Sequence, residues 1–496
     1  LNLYRGDPVG DEEEGQSNFR TREVYEMVEE TLPDLLPIFF SSNRSVVFEP
    51  MQMEDVEAAE QATDVVDYHL FRRDNSFLNF QEFFKSALLD MNAYMKVHCT
   101  YKERTVHHNY SDITEMQLMR LMTPDRQWKK GVEINERQAP TGEILYSFSG
   151  TEVVQKPEIH TDPIPPEQML VDRSARHLDL DKVWDDYGFI AQESSETYTE
   201  LLLRGYDEDE LKEAAYGDSD VIFNDEFTNR FNRTDERPDQ SSPSDYSTRR
   251  FTVYECYVKM DCDGTGVADS WRIVMIGGKI FEKDKVSFQP YVSMSAVPMP
   301  FKHIGMSPAE ALEDLQLLKT KLMRIALNDE YRNEIRRTYI DRSAIDRDTM
   351  EAMLDPNSKV VKTKGPPGQA IMPESQYSIL QETLGVMNYA DGMIKLRSGM
   401  APGNALNPDV LKDATAHGML ASMDRGSKRI MHIARIFAET GVKKIGLKLY
   451  QLLRLHQDKA MTLKIRGKWV NVNPAEWIER TDMKVSVGLG FNSKQE

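Results

Sequence analysis

The chain has 496 residues, an apolar content of 40% and a formal net charge of −20, enough for roughly two to four domains with real cores. That acidity argues against a general nucleic-acid coat or a protein held on an anionic membrane. No apolar run approaches the roughly 18 residues that a membrane-spanning helix needs, and Cys99, Cys256 and Cys262 show neither a pairing pattern nor metal-ligand spacing, which suggests a reducing compartment.

The charge is unevenly spread. Residues 1–60 carry 15 acidic against 4 basic side chains, whereas residues 401–470 carry 13 basic against 5 acidic. This asymmetry points to a local polyanion-facing surface.

Residues 1–18 are polar and rich in Gly, Asp and Glu, and read as a poorly ordered arm. Residues 21–41 read as a helix interrupted at Pro33 and Pro37. The stretch "SVVFEP" at 45–50 reads as a short strand. Residues 53–73 and 76–95 read as two helices, the second apolar through Phe77, Phe80, Phe83, Phe84, Leu88 and Met91. Strands are expected at 94–104 and 143–160, and a turn followed by a strand at 164–175. A short acidic helical region follows at 195–216, then a polar mobile loop at 217–250. Residues 251–260 and 270–281 read as a hairpin around "DCDGTG". Asp261, Asp263 and Gly264 resemble the start of a calcium loop, but position 272 is Arg and the flanks are strands, so a plain hairpin turn is the better reading.

The firmest local signal is "PFKHIGMSPAEALEDLQLLKTKLMR", 300–324. Ser307 stands at a cap position, Pro308 at the first helical position, and Glu310 three residues after the cap. Leu312, Leu315, Leu318, Leu322, Ile325 and Ala326 then recur as one apolar stripe, interleaved with or followed by Lys319, Lys321, Arg324, Arg332, Arg336 and Arg337. An irregular segment spans 338–373. A second helix follows at 374–397, with Tyr377, Leu380, Leu384, Met387 and Ile394 on one face. Residues 398–408, "SGMAPGNALNP", are rich in Gly, Pro and Asn. Asn407 and Pro408 restart a helix that runs to about 457 and is expected to kink or break at Gly418, Gly426, Gly441 and Gly446. Strands at 461–472 and 482–488 close the chain. The fold class is α+β.

No catalytic constellation emerges. The segment "GVKKIGLK", 441–448, departs from a phosphate loop: Leu447 stands where the Lys belongs, Lys448 where Ser or Thr belongs, and no strand precedes it. H-E-x-x-H, C-x-x-C and G-x-S-x-G do not occur. His107 and His108 are adjacent and would point apart, so a shared metal is not expected. No metal or other cofactor is expected, and the chain reads as a structural or binding protein, not an enzyme.

Several stretches together resemble, in order, the portal protein (head-to-tail connector) of short-tailed bacteriophages. They are "VVFEPMQMEDVEAAEQATDVVDYHLFRRDNSF", "FFKSALLDMNAYMKVH", "PIPPEQMLVDRSA", the 300–324 segment, "HIARIFAETGVKKIGLKLYQLL" and "GKWVNVNPAEWIERTDMKVSVGLG". The resemblance covers nearly the whole chain and rests on co-occurrence and order. It implies a ring-forming portal fold: a mixed α/β wing over about 1–306, a first stem helix over 307–337, a clip over 338–373, a second stem helix over 374–397, a channel loop over 398–409, a helical wing and crown region over 410–457, and strands over 458–496 returning to the wing. The rest of the crown, and any helical barrel, are expected beyond residue 496.

The resemblance further implies a homo-dodecamer at one capsid vertex, in a virion assembled in the host cytoplasm. Double-stranded DNA would be pumped in through it and later released, without sequence reading. The implied partners are the terminase large subunit, the major capsid and scaffolding proteins and tail adaptor proteins, with no membrane. Within that frame Lys395, Arg397, Lys412, Asn404 and Asn407 are the candidates to face DNA. Gly399, Pro402 and Gly403 would give the channel loop its turns and mobility. Arg336, Arg337, Arg342, Lys359, Lys362 and Lys364 would form a basic rim for docking partners. The alternatives are a metal-dependent DNA-processing enzyme such as a nuclease, or another head–tail structural protein.

Overall fold

A computed structural model describes residues 1–8, 10, 15–40, 45–50, 56–73, 75–122, 127–129, 131–138, 144–217, 247, 249–334, 338–340, 366, 371–373, 379–398, 428–456, 461–465, 468–472, 477 and 483–485. The chain begins with a one-turn helix, α1 (Asn2–Arg5), and a long helix, α2 (Glu23–Phe40). α2 runs through Pro33 and Pro37, where interruptions were expected. Its side chains Val28, Leu32, Leu35, Leu36 and Phe39 are buried. Burial at about 1.5–3 kcal/mol per large apolar side chain offsets a proline cost of about 3 kcal/mol each.

β1 (Val46–Val47) leads to α3 (Val56–Asp67), which continues as a π-turn over Tyr68–Arg72, and to α4 (Ser76–Leu89). Then come β2 (Ala93–Ile113), α5 (Glu115–Leu121), β3 (Gln127–Trp128), β4 (Glu133–Gln138) and β5 (Ile144–Ile164). β6 (Met169–Val171), α6 (Leu180–Tyr187), β7 (Phe189–Thr197), α7 (Tyr198–Leu203) and α8 (Glu208–Gly217) follow. The expected mobile loop at 217–250 falls almost wholly outside the described residues.

β8 (Arg250–Met260), β9 (Asp269–Ile276), β10 (Lys279–Lys285) and β11 (Tyr291–Met294) precede the long helix α9 (Glu310–Glu334). β12 (Thr338–Ile340), β13 (Ile371–Pro373) and α10 (Leu380–Ser398) come next. Helical residues from 428 pass through a π-turn at Ala438–Val442 into α11 (Lys443–His456). β14 (Met461–Ile465), β15 (Lys468–Val472) and β16 (Lys484–Val485) end the described chain.

These elements form two compact units, one of residues 1–31 and 307–430, the other of residues 32–306 and 431–496. The second holds two larger antiparallel sheets. One is a meander in the order β10-β9-β8-β7-β6. Its β8–β9 turn is the expected Asp-Gly turn, and Asp261 accepts the backbone N–H groups of Asp263, Thr265 and Gly266. The other has the order β11-β2-β5-β3, with β4 also on β5. β2 and β5 pair from Tyr94↔Ile164 to Ile113↔Tyr146, with a register shift between Tyr110 and Ile113. Both strands are longer than the sequence suggested.

The core of this unit includes Phe39, Phe80, Phe83, Phe84 and Phe437, all fully buried. The Phe84 ring packs tilted against those of Phe437 at 5.1 Å and Phe39 at 5.2 Å. Phe77 and Met91, expected on the same apolar face, are exposed. Gly441 does not break its helix; it sits in the π-turn, where a Cβ would lie 2.7 Å from the Met294 sulfur and 3.2 Å from Phe83. Glycine here serves close approach. Gly418 and Gly426 lie outside the described residues.

Candidate nucleic-acid and partner interface

In the other unit, α9 starts as its sequence dictates, with the Glu310 N–H donating to Ser307 Oγ at 3.0 Å. α9 and α10 lie antiparallel, fixed by contacts that run in opposite directions along the two helices. Asp314 pairs with Arg397 at 2.6 Å, Lys319 with Asp391 at 2.6 Å, and the Ile379 N–H donates to Asp329 Oδ2 at 3.3 Å. Beyond α9, the ends of the expected irregular segment pair as β12 and β13, Thr338↔Pro373 to Ile340↔Ile371.

The face that α9 buries is not the predicted stripe. Leu312, Leu315 and Ala326 are buried, but so are Gln316, Thr320 and Arg324, whereas Leu318 is 45% and Ile325 50% exposed. The N-terminal residues explain the difference. Gln316 accepts the Val24 N–H through Oε1 and donates to the Leu3 carbonyl. The Thr21 and Thr320 hydroxyls bond at 3.0 Å, and Arg324 Nε donates to the Phe19 carbonyl at 2.9 Å. The Ser17 N–H donates to Asn328 Oδ1. Leu3 and Ser17, within the segment read as a loose arm, thus bond to α9 as Phe19, Thr21 and Val24 do, and the polar residues of α9 face these groups because buried backbone needs partners.

Lys319 is largely buried and paired with both Glu23 and Asp391. Burial alone would lower its ammonium, but the hydrogen bonds to the two carboxylates outweigh that and hold it above the ordinary lysine value. Lys321, Arg332 and Lys395 are exposed, and no ion pair with them is found among the described residues. Arg397 is half-buried, donating to the Asp314 carboxylate and the Ala311 carbonyl. The hydrogen bond from Arg397 keeps the Asp314 carboxyl below its usual range. Two candidates for facing DNA thus differ: Lys395 has an exposed charge, and that of Arg397 is balanced at home.

On α10 the predicted face is half right. Met387 and Ile394 are buried together with Thr383 and Ala390, but Leu380 and Leu384 are exposed. A second apolar row, missed in the sequence, lies outside: Val386 is 46%, Tyr389 71% and Leu396 73% exposed, with the partly exposed Met393 between them. Their 3-4-3 spacing was visible as an a/d-type seam. Lys412, Asn404, Asn407, Gly399, Pro402, Gly403, Arg336, Arg337, Arg342, Lys359, Lys362, Lys364 and Tyr377 lie outside the described residues.

In the sheet-bearing unit the failed phosphate-loop segment has another role. Lys448 is buried in α11, with Nζ 2.6 Å from Asp181 Oδ1 and 2.7 Å from the Gln289 carbonyl. Gln289 Nε2 donates to the same Asp181 oxygen at 2.6 Å, and Lys444 pairs with Asp179 at 2.8 Å and Asp181 at 3.2 Å. Burial would raise the Asp181 carboxyl, but Lys448 and Lys444 outweigh it and hold it low. Burial pushes the Lys448 ammonium down, and Asp181 only partly offsets this.

A second network joins the two sheets. Glu255 of β8 takes Lys96 of β2 at 2.5 Å and Arg272 of β9 at 2.8 Å. Burial would raise its carboxyl, yet these two cations bring it down to about 2. His107 and His108 point apart, bonded to Thr151 at 2.8 Å and Glu152 at 2.7 Å respectively.

A family model described as phage SU10 portal protein matches residues 1–496. No curated protein matches the chain.

Proposed function

The chain belongs to the phage SU10 portal protein family, and we propose that α9 and α10 are the stem helices through which its copies line a DNA channel. A portal protein is a structural component of the phage capsid, built into an oligomeric ring with capsid and packaging or tail components. No helix among the described residues is long and apolar enough to cross a membrane.

The observation that carries the proposal is the apolar side chains that the antiparallel pair leaves uncovered. α9 offers Leu318 and Ile325, and α10 offers Val386, Tyr389 and Leu396. Two different rows on one chain suit a head-to-tail joint, and such joints close into rings when the rotation permits. Twelve copies at one capsid vertex are the stoichiometry we infer, with the wing at about 1–306, the clip at 338–373 and the channel loop at 398–409.

Lys395 is the residue we assign first to the channel. Repeated around a ring, one exposed lysine makes a positive girdle inside a protein of net charge −20. A few such girdles guide the phosphates, whereas many would grip them, because each neutralised phosphate adds counterion-release affinity. Backbone contact suits passage of any sequence. Lys412, Asn404 and Asn407 are proposed to contribute beyond α10, and Gly399, Pro402 and Gly403 to shape the loop. Arg397 would contribute once released from Asp314.

The clip, with Arg336, Arg337, Arg342, Lys359, Lys362 and Lys364, is proposed to dock the terminase large subunit and later the tail adaptors. The wing would meet capsid and scaffolding proteins during assembly in the host cytoplasm. No catalysis is assigned to the chain, and incubation with duplex DNA and divalent metal should leave the DNA intact.

The test is electron microscopy of the purified protein, averaged down the symmetry axis. A ring of about a dozen copies with a duplex-sized hole is expected. A monomer at every salt and protein concentration would overturn the reading.

A further inference from the structure

The loop between β11 and α9 carries a bulky side chain where its backbone favours none. Met299, Pro300, Phe301 and Lys302 form a tight turn, closed by the Lys302 N–H on the Met299 carbonyl at 3.4 Å. Phe301 has φ +57°. Proline at the second position and a positive φ at the third mark a type II turn, whose third position favours Gly or Asn. A phenylalanine there strains the backbone. Burial in its own chain does not offset that strain, since Phe301 is 85% exposed, with Ile304 55% and Met299 39% exposed in the same loop.

The base of the loop is fixed. Val297 and Met306 form a bridge, with the Met306 N–H donating to the Val297 carbonyl at 2.9 Å. Asn92 accepts the Gly305 N–H at 2.9 Å and donates to the His303 carbonyl at 3.0 Å. The buried His303 ring donates through Nδ1 to the His177 carbonyl at 2.8 Å, and its Nε2 meets the Tyr94 hydroxyl at 3.0 Å. Gly305 lies so close to Ser295 that a Cβ would fall 2.0 Å from its Oγ. Phe301 is thus presented on a rigid support. An aromatic side chain ordered in advance loses little freedom on binding, which suits an anchor at an interface.

The sheet-bearing unit, to which this loop belongs, also carries a cleft that would take such a ring. Its volume is about 280 Å³, and Trp184, Phe288 and Leu447 line it together with Asp181, Asp185 and Lys444. A cavity of about 150 Å³ is enough for benzene. Trp184 and Phe288 offer an entering ring the aromatic partners it prefers. The charges match as well. Lys302 is exposed, and no ion pair with it is found among the described residues. Asp185 remains 64% exposed beyond its contact with Lys259.

We propose that Phe301 of one copy enters the Trp184–Phe288–Leu447 cleft of the next copy, with Lys302 turned toward Asp185. Every joint of a ring brings together two different surfaces of the same chain, and a knob and a hole on one chain meet that requirement. The proposal rests on the ring reading above and names a joint outside the stem helices.

The test is Phe301→Asn in the full chain. Asparagine tolerates the left-handed backbone and removes the apolar anchor, so two readouts separate. The monomer's melting temperature should hold or rise, while the ring population at fixed protein concentration should fall at least about tenfold. A lower melting temperature would mean that Phe301 supports its own fold, and overturns the anchor. An unchanged ring population overturns this joint and leaves the ring reading intact. A parent chain that never assembles overturns both.

A double variant, Phe301→Cys with Ser287→Cys, identifies the occupant, Ser287 being an exposed residue of the cleft wall. Treated with a short bifunctional thiol reagent, its rings should give a ladder of linked copies on a denaturing gel, absent from either single variant. Rings without a ladder would mean that another surface receives residue 301, and links within single chains alone would mean that the loop reaches its own cleft; either result overturns the proposal.

Discussion

Lys448 illustrates what burial does to a single charge. Its ammonium is held by Asp181 and the Gln289 carbonyl, and truncating one partner of a buried pair strands the other. Lys448→Ala should therefore destabilise the fold by about 3 kcal/mol, somewhat cushioned because Lys444 still reaches Asp181. Denaturant titration checks this; a loss below about 1 kcal/mol would mean that water already solvates the site.

Two histidines set the acid response. Burial lowers His98 from 6.5 to about 4, with Lys96 adding to the effect and Asp162 opposing it. Burial, then Arg73, lowers His69 to about 4 as well. Folded values below unfolded ones mean that the unfolded chain binds more protons between these limits. Stability should be full above pH 6.5 and fall as the pH drops toward 4. Glu255, titrating at about 2 in the fold against 4.5 for its ordinary value, extends the loss below that window. Calorimetry from neutral pH downward should show the melting temperature declining, and His98→Gln should flatten the upper part of the decline. A flat profile across the histidine window would refute the assignment.

At the scale of elements, a turn and a helix face carry the tests. Gly277, between β9 and β10, has φ +55°, and a Cβ there would sit 2.3 Å from the Ala214 carbonyl oxygen. Gly277→Ala should cost more than about 2 kcal/mol, because backbone must move to make room; a neutral change in thermal stability would contradict the packing of α8 on this turn. The outward row of α10 predicts a different outcome. Leu396→Asp and Tyr389→Asp should barely affect the monomer, since both side chains are more than two-thirds exposed, yet should shift the ring toward monomers by at least about tenfold in sedimentation velocity. Rings that persist in both variants would remove this row from the interface.

At the scale of the whole molecule, Lys395 tests the channel. Lys395→Glu reverses one exposed charge per copy, and in a ring the change is multiplied by the number of subunits. Assembly should proceed, while packaging in vitro should slow and become more sensitive to salt, because exposed charges act through a screened field. A packaging rate equal to the parent's at low salt would remove Lys395 from the lumen.

The sequence by itself determined features that depend on neighbours within about four residues. The Ser307 cap, the Asp-Gly turn of the β8–β9 hairpin and the buried Phe80, Phe83 and Phe84 face were all legible there. It also carried the family, through the order of segments along its whole length. Tertiary structure alone decided which side of α9 lies inside. Gln316, Thr320 and Arg324 are buried because Phe19, Thr21 and Val24 hydrogen-bond along α9, and Lys448 is buried because Asp181 lies against it. It also decided that β12 and β13 pair. The physical reason is the range of the interactions. A cap or turn is paid for by its own few residues, whereas a buried charge or a covered edge depends on partners tens to hundreds of residues away, which periodicity cannot encode.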